Sequence, residues 1–245
     1  FREIGDIVCR ERDGRDVLYE YLLRFYCYHL ASPNETIRAI AFEQMDHLRF
    51  VHNDFESYLD DETRKILFEF VRKHPNYSAF KTWQFRNGIT MVGMSGGGRN
   101  AIRLLESLEG KIEEQLEFSR RVALARLDNT RAEEFIRKYE EAKDPALKMK
   151  LARALGQIST PETLRILARD LRLDWAPGGG AGFNQFVLTA LCLAKDWPED
   201  GASVFHSGSY NEEDFEMAEA WCVEKFDMQW ERPRPPVRMS MPTPI

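Results

Sequence analysis

LARALGQISTPETLRIL, residues 151–167, reads as the end of one helix, a two-residue break and the start of another. Leu151, Leu155 and Ile158 follow each other at helical spacing, which puts them on one face. Gly156, near the end of that run, lowers helix propensity and lets a neighbouring backbone come close. After Ser159, Thr160 is placed to cap, Pro161 suits the first helical position because its missing N–H would be unpaired there, and Glu162 complements the positive end of the helix dipole. Leu164, Leu167 and Leu171 supply a second apolar stripe. The unit is an αα-hairpin.

The same pattern recurs along the chain, and an internal period decides an architecture before any local reading does. Residues 86–105, RNGITMVGMSGGGRNAIRLL, place Val92-Gly93 where Leu155-Gly156 stands and Ala101–Leu105 where the second helix begins. Residues 121–136 give a third copy with Leu127-Asp128 at the anchor, 186–205 a looser fourth at Leu191-Cys192, and 36–48 an N-terminal one near Met45. The anchors at 93, 128, 156 and 192 are 35, 28 and 36 positions apart, about one helical hairpin each. Helix starts fit this parse. Ser32-Pro33-Asn34-Glu35 reads as a capping box with proline at the first helical position, Asp60 or Asp61 caps the helix carrying ETRKILFEFVRK, and Asp144-Pro145 opens another. VLYEYLLRFYCYHL, residues 17–30, is expected to form the first long helix, with aromatics on every side and therefore heavily buried. The alternative for the first 30 residues is an extended hairpin turning at Asp13-Gly14.

Ala154-Leu155-Gly156-Gln157-Ile158, with Pro161-Glu162 opening the next helix, resembles a HEAT repeat, in particular the short bacterial type named after phycobiliprotein lyases. The resemblance is clearest over residues 79–171 and looser from about 17 to 225. Departures are the triple glycine Gly96-Gly97-Gly98, Asp128 where glycine is usual, and the absence of the frequent Arg-Ala-Ala pattern in several copies. The resemblance implies an all-α, right-handed α-solenoid of HEAT/ARM-like (armadillo-like) hairpins, about five or six of them, over residues 1–230. A proline-rich C-terminal extension, 231–245, follows it. Stacked hairpins of this kind leave extended surfaces that recognise proteins. The function expected from this is a noncatalytic protein–protein interaction or assembly scaffold; the alternative is a lyase-like or chaperone-like protein handling a tetrapyrrole-bearing partner.

Composition narrows the partners. The net charge of −6 disfavours a nucleic-acid backbone, whose binding needs clustered Lys and Arg to displace counterions, and with it a helical-repeat DNA-repair enzyme. No run approaches the roughly 18 apolar residues of a membrane span. The opening FREIGDIVCRERDG lacks the charged and apolar regions of a secretion signal; a cytoplasmic location is expected, with a processed upstream signal as the alternative for a chain beginning at Phe1. Cys9, Cys27, Cys192 and Cys222 show no C-x-x-C spacing and are expected to be small buried hydrophobes, although sequence alone leaves three disulfide pairings open. Asn34-Glu35-Thr36 and Asn76-Tyr77-Ser78 fit the N-glycosylation pattern, which matters only in a secreted eukaryotic protein.

The chemistry-bearing motifs assign no catalytic residue, cofactor or metal. VGMSGGGRNAI, 92–102, sets glycines before a helix but lacks the Lys-Ser/Thr of a P-loop; it reads as a link between paired helices with Gly93 at the close-packing point. Asp46-His47 and His52-Asn53-Asp54 group imidazoles and carboxylates, but a spacing of five takes His47 and His52 off one helical face, and a solvated helix end is expected. The acidic runs Glu113-Glu114, Glu133-Glu134, Glu140-Glu141 and Glu212-Glu213-Asp214 read as solvated helix faces. Partner binding is expected instead at the glycine-rich break Gly178, Gly179 and Gly180, and at the start of the tail. There Trp221 and Trp230 stand at the start of the tail that carries Pro233, Pro235 and Pro236, a segment expected to serve as a docking arm or in self-association.

Overall fold

The computed structural model describes residues 15–51, 55–77, 87–173, 182–197 and 212–228. Among these residues the chain forms eleven α-helices, a single 3-10 turn and no β-strand. The chain divides into two compact units, residues 1–128 and 129–245. The third expected hairpin, 121–136, is therefore cut by the unit boundary.

The first unit contains α1 (Arg15–His29), α2 (Glu35–Val51), α3 (Asp61–Lys73), α4 (Gly88–Met94), α5 (Gly98–Ser107) and α6 (Glu114–Leu127). A single apolar cluster runs from Tyr19 to Leu124 through all six helices. Ala41, Phe42, Met45 and Leu48 form the buried stripe of α2, and Leu67, Phe68, Phe70 and Val71 that of α3. α3 starts where the sequence says it should: the Asp60 carboxylate accepts from the Thr63 backbone N–H at 2.8 Å. Helix α4 is buried along its whole length. Its ends are therefore paired internally, since an orphaned polar group there would cost a full desolvation penalty. Asn87 caps the start through the Thr90 N–H at 2.9 Å and donates to the Ser119 hydroxyl at 3.2 Å. At the other end Ser95 donates to the Val92 carbonyl at 2.8 Å, and Arg64 Nε donates to the Ser95 carbonyl at 2.8 Å.

The second unit contains the 3-10 turn Asn129–Arg131, α7 (Ala132–Glu141), α8 (Pro145–Ile158), α9 (Pro161–Asp170), α10 (Phe183–Leu191) and α11 (Glu212–Phe226). The α8–α9 hairpin is built as expected. Asp144 caps α8 through the Leu147 N–H at 2.7 Å, Ser159 takes the left-handed conformation at φ 59°, and Thr160 and Thr163 cap α9 reciprocally. Leu151, Leu155 and Ile158 of α8 and Leu164, Leu167 and Leu171 on the α9 side are all buried.

The same helix seam occurs in each unit. α4 lies closest along α6 and α8 along α10, and at each crossing a glycine near the end of the first helix meets an alanine of the second. A Cβ on Gly93 would stand 2.6 Å from the Ala123 Cβ and 2.8 Å from its Cα. A Cβ on Gly156 would stand 2.7 Å from the Ala190 carbonyl carbon. Both glycines permit backbone-to-backbone approach that any side chain would block.

Four local expectations are corrected. Ser32 does not cap α2: Asn34 Oδ1 accepts from the N–H groups of Thr36 at 2.9 Å and Ile37 at 3.4 Å, so the helix starts after Asn34 and Pro33 stays outside it. Asparagine adjacent to the first helical residue reaches these donors directly, whereas Ser32 is two residues too early. Met45 is no hairpin anchor, because α2 continues unbroken to Val51. Asp46 is not at a solvated helix end: only 1% of its surface is exposed, although the adjoining His47 is exposed. Finally, α1 is not buried all round. Leu18, Tyr21 and Tyr28 are 40%, 65% and 45% exposed, because only the side carrying Tyr19, Leu22, Leu23 and Tyr26 meets the core. Residues 1–14, including Cys9 and the Asp13-Gly14 turn, and residues 52–54 lie outside the described residues.

Candidate partner-binding surfaces

Of the residues expected to contact a partner, Trp221 is described; Gly178, Gly179, Gly180, Trp230, Pro233, Pro235 and Pro236 lie outside the described residues. Trp221 sits on α11 with 8% of its surface exposed. Its ring meets Trp197 edge to face at 4.9 Å and Phe226 at 5.6 Å, and the Arg165 guanidinium covers Phe226 at 5.8 Å. One edge of Trp221 lines a shallow cavity of about 420 Å³ together with Asp196, Glu224 and Lys225. Most of the indole is thus used in packing, with a small remainder facing solvent.

Helix α11 is fastened by charge. Arg172, 7% exposed, donates from Nε to Glu219 at 2.8 Å and from Nη2 to Glu212 at 2.6 Å, with its guanidinium 4.9 Å from the Phe215 ring. Glu219 is 2% exposed. Burial works against the Arg172 charge, but the two carboxylates outweigh it and hold the guanidinium above its ordinary pKa. A second network, buried at Tyr139 and Asp170 and open to solvent at Arg169 and Glu140, joins α7 to α9. The Tyr139 hydroxyl donates to Asp170 at 3.0 Å, Arg169 donates to Asp170 at 2.8 Å and to Glu140 at 3.2 Å, and the Lys148 ammonium lies 4.8 Å from the centre of the Tyr139 ring. Burial, followed by the Asp170 charge, pushes the Tyr139 phenol above its usual value. These contacts clamp helices together and leave the tyrosine a donor.

Cys27, Cys192 and Cys222 are buried thiols outside any disulfide, as small hydrophobes would be. The Cys27 thiol donates to the Thr63 carbonyl at 3.0 Å. Among the described residues no group of three or more His, Cys, Asp and Glu side chains gathers at metal-binding distance. No described helix is long and apolar enough to cross a membrane.

Two further clefts belong to the first unit and were not anticipated from sequence. A cleft of about 460 Å³ lies between the α1–α2 loop and α3. Leu30, Ile66 and Phe70 form its floor; Arg38, Lys65 and Lys73 supply cations at its rim, with Glu62 and Glu69 as the acids. Arg38 also fixes the loop, donating to the carbonyls of Ser32 at 2.8 Å and Pro33 at 3.0 Å. On the other side of α3 a groove of about 650 Å³ runs beside α5, floored by Phe68 and Leu104. Lys65 and Glu69 line both. The groove exists partly because Gly97, at φ 70°, turns the chain into α5 with the Phe68 ring packed where a side chain would go. One signal for these clefts is present in the sequence, the recurrence of Arg64-Lys65 and Arg72-Lys73 two turns apart on α3. The contributions of Leu30 and Arg38 arise only from tertiary packing.

Comparison of the chain with known protein families, with curated proteins and with solved structures finds no match in any of the three.

Proposed function

We propose that this chain is a noncatalytic interaction scaffold, an α-solenoid of HEAT-like hairpins whose proline-rich extension acts as a docking arm. The glycine–alanine seams at Gly93/Ala123 and Gly156/Ala190 support the repeat reading, because stacked hairpins of one design need the same close approach at the same place. The observation that carries the functional reading is apolar exposure on α1 and α2. Tyr21 and Tyr28 on α1 are 65% and 45% exposed, and Ile37 in the first turn of α2 is 41% exposed. Tyrosine is enriched at protein interfaces because it adds area at low entropic cost and keeps a polar tip.

The test is affinity purification from the native source with crosslinking mass spectrometry, using the full chain and a chain cut after Glu231. A defined partner crosslinked to the full chain is the expected result, and its loss on truncation assigns attachment to the extension. Internal crosslinks alone, with nothing copurifying, would overturn the scaffold reading.

A further inference from the structure

The cleft between the α1–α2 loop and α3 combines two properties that a merely solvated surface does not need together. Its floor is aliphatic and aromatic, formed by Leu30, Ile66 and Phe70. Its rim is cationic in a chain of net charge −6. The carboxylates at the rim are engaged: Glu69 pairs with Arg72, and Glu62 accepts from the Tyr28 hydroxyl. Lys65 and Lys73 are exposed and have no ion-pair partner among the described residues. Taken with the groove beside α5, the two clefts carry six arginine and lysine side chains against three carboxylates.

The two clefts share Lys65 and Glu69, so an occupant of the first can continue over that ridge into the second. Such a path fits a stretch of polypeptide better than a compact small molecule. We propose that the cleft receives an acidic segment of a partner protein, with one large apolar side chain seated over Ile66 and Phe70 and flanking carboxylates on Lys65, Lys73 and Arg38. The assignment rests on the scaffold reading and specifies the partner's chemistry. Complementary charge sets the encounter rate and the orientation of the segment, while the apolar side chain supplies contact energy. The negative bulk charge of the chain repels acidic polymers elsewhere, so the basic cleft also selects where the segment lands.

The experiment titrates the full chain against a short fluorescent peptide of aspartates and glutamates around a central Leu-Phe pair, with a lysine version of the same peptide as control. The acidic peptide is expected to bind, to weaken as salt rises, and to lose at least tenfold in affinity to the double variant Lys65→Glu, Lys73→Glu. Both lysines are exposed, so the variant is expected to fold with a modestly lower melting temperature, because glutamate at 73 opposes the dipole at the end of α3 and glutamate at 65 meets Asp61 and Glu69. The milder pair Lys65→Ala, Lys73→Ala should move the affinity in the same direction by less. No binding of the acidic peptide, equal binding to wild type and variants, or equal binding of the lysine peptide would overturn the assignment. If a native partner is captured but crosslinks away from α3, the scaffold reading stands and the cleft assignment falls. If no partner is captured, the scaffold reading itself fails.

Discussion

The carbonyl of Ala190 occupies the space that a side chain on Gly156 would need, so α8 and α10 touch through their backbones. Gly93 holds the same relationship to Ala123 between α4 and α6. Glycine to alanine inside an unencumbered helix gains about 1 kcal/mol in propensity. Here overpacking works against that gain, at a typical cost of about 1–3 kcal/mol. Gly156→Ala is expected to lower stability, and more than Gly93→Ala, because it meets the Ala190 carbonyl head on, whereas a Cβ at 93 meets the Cβ and Cα of Ala123. Denaturant titration of both variants checks the order; a stabilised Gly156→Ala would sink the seam.

The α3 start makes an acid-side prediction. Hydrogen bonds from the Thr63 backbone and side chain hold the Asp60 carboxyl below its ordinary pKa. The capping contribution is therefore fully present above the unfolded value near 4 and disappears as pH falls through the lower folded value. Asp60→Ala should cost about 1 kcal/mol at neutral pH, and Asp60→Asn distinctly less because the amide oxygen still accepts. The difference between wild type and Asp60→Ala should shrink as pH falls below about 4. Urea midpoints across that range measure it.

Three thiols should be silent in the folded protein. Burial pushes the Cys27 and Cys222 thiols up to about 12 and raises that of Cys192 as well. Thiolate is the reactive form, so alkylation at neutral pH should spare all three until denaturant is added. Peptide mass spectrometry reads each site separately, and fast native labelling of Cys192 would contradict its packing.

The same groups predict an alkaline limit. Raised folded-state values favour the protonated form, so the stability they support is complete below the unfolded values, about 8.5 for thiols and 10 for phenols, and declines as pH rises beyond them. Tyr139 belongs here too, with Asp170 adding to the effect of burial. Tyr139→Phe should cost about 1.5–3 kcal/mol at neutral pH, since the lost bond is to a charged acceptor, and should soften the decline above pH 10. Circular dichroism during alkaline titration tests both.

Arg172 and Glu219 form a pair in which loss of one partner is worse than loss of both. Arg172→Met leaves the Glu219 carboxylate buried without its guanidinium and should cost about 3–5 kcal/mol. Arg172→Met combined with Glu219→Leu should recover much of that stability. The double-mutant cycle by thermal melting decides it; additive losses would mean that the pair is independent.

Hairpins were legible where a local signal sits beside its effect. Thr160-Pro161, Asp144-Pro145 and Asp60 all act within three residues of their own position, and the structure uses each as read. Gly93 and Gly156 were legible too, because each stands inside its helix ahead of a serine C-cap, where glycine costs helix propensity and does not serve as the cap. Misreadings arose where a residue's role depends on what packs beside it. The aromatics of α1 look uniformly apolar in a row of letters, yet tertiary packing selects one side and leaves Tyr21 out. Asn34 outcompeted Ser32 by proximity to the first free N–H groups, a matter of ångströms that the capping-box spacing blurs. The cleft beside α3 was invisible because its parts come from a loop, the start of α2 and the middle of α3, which no linear pattern joins.

A seam made of glycine and alanine is specified by atoms that are missing. Selection for the crossing therefore acts on two small residues, while the large ones around it can drift as long as their faces stay apolar. The two crossings can therefore stand while most of the letters around them change.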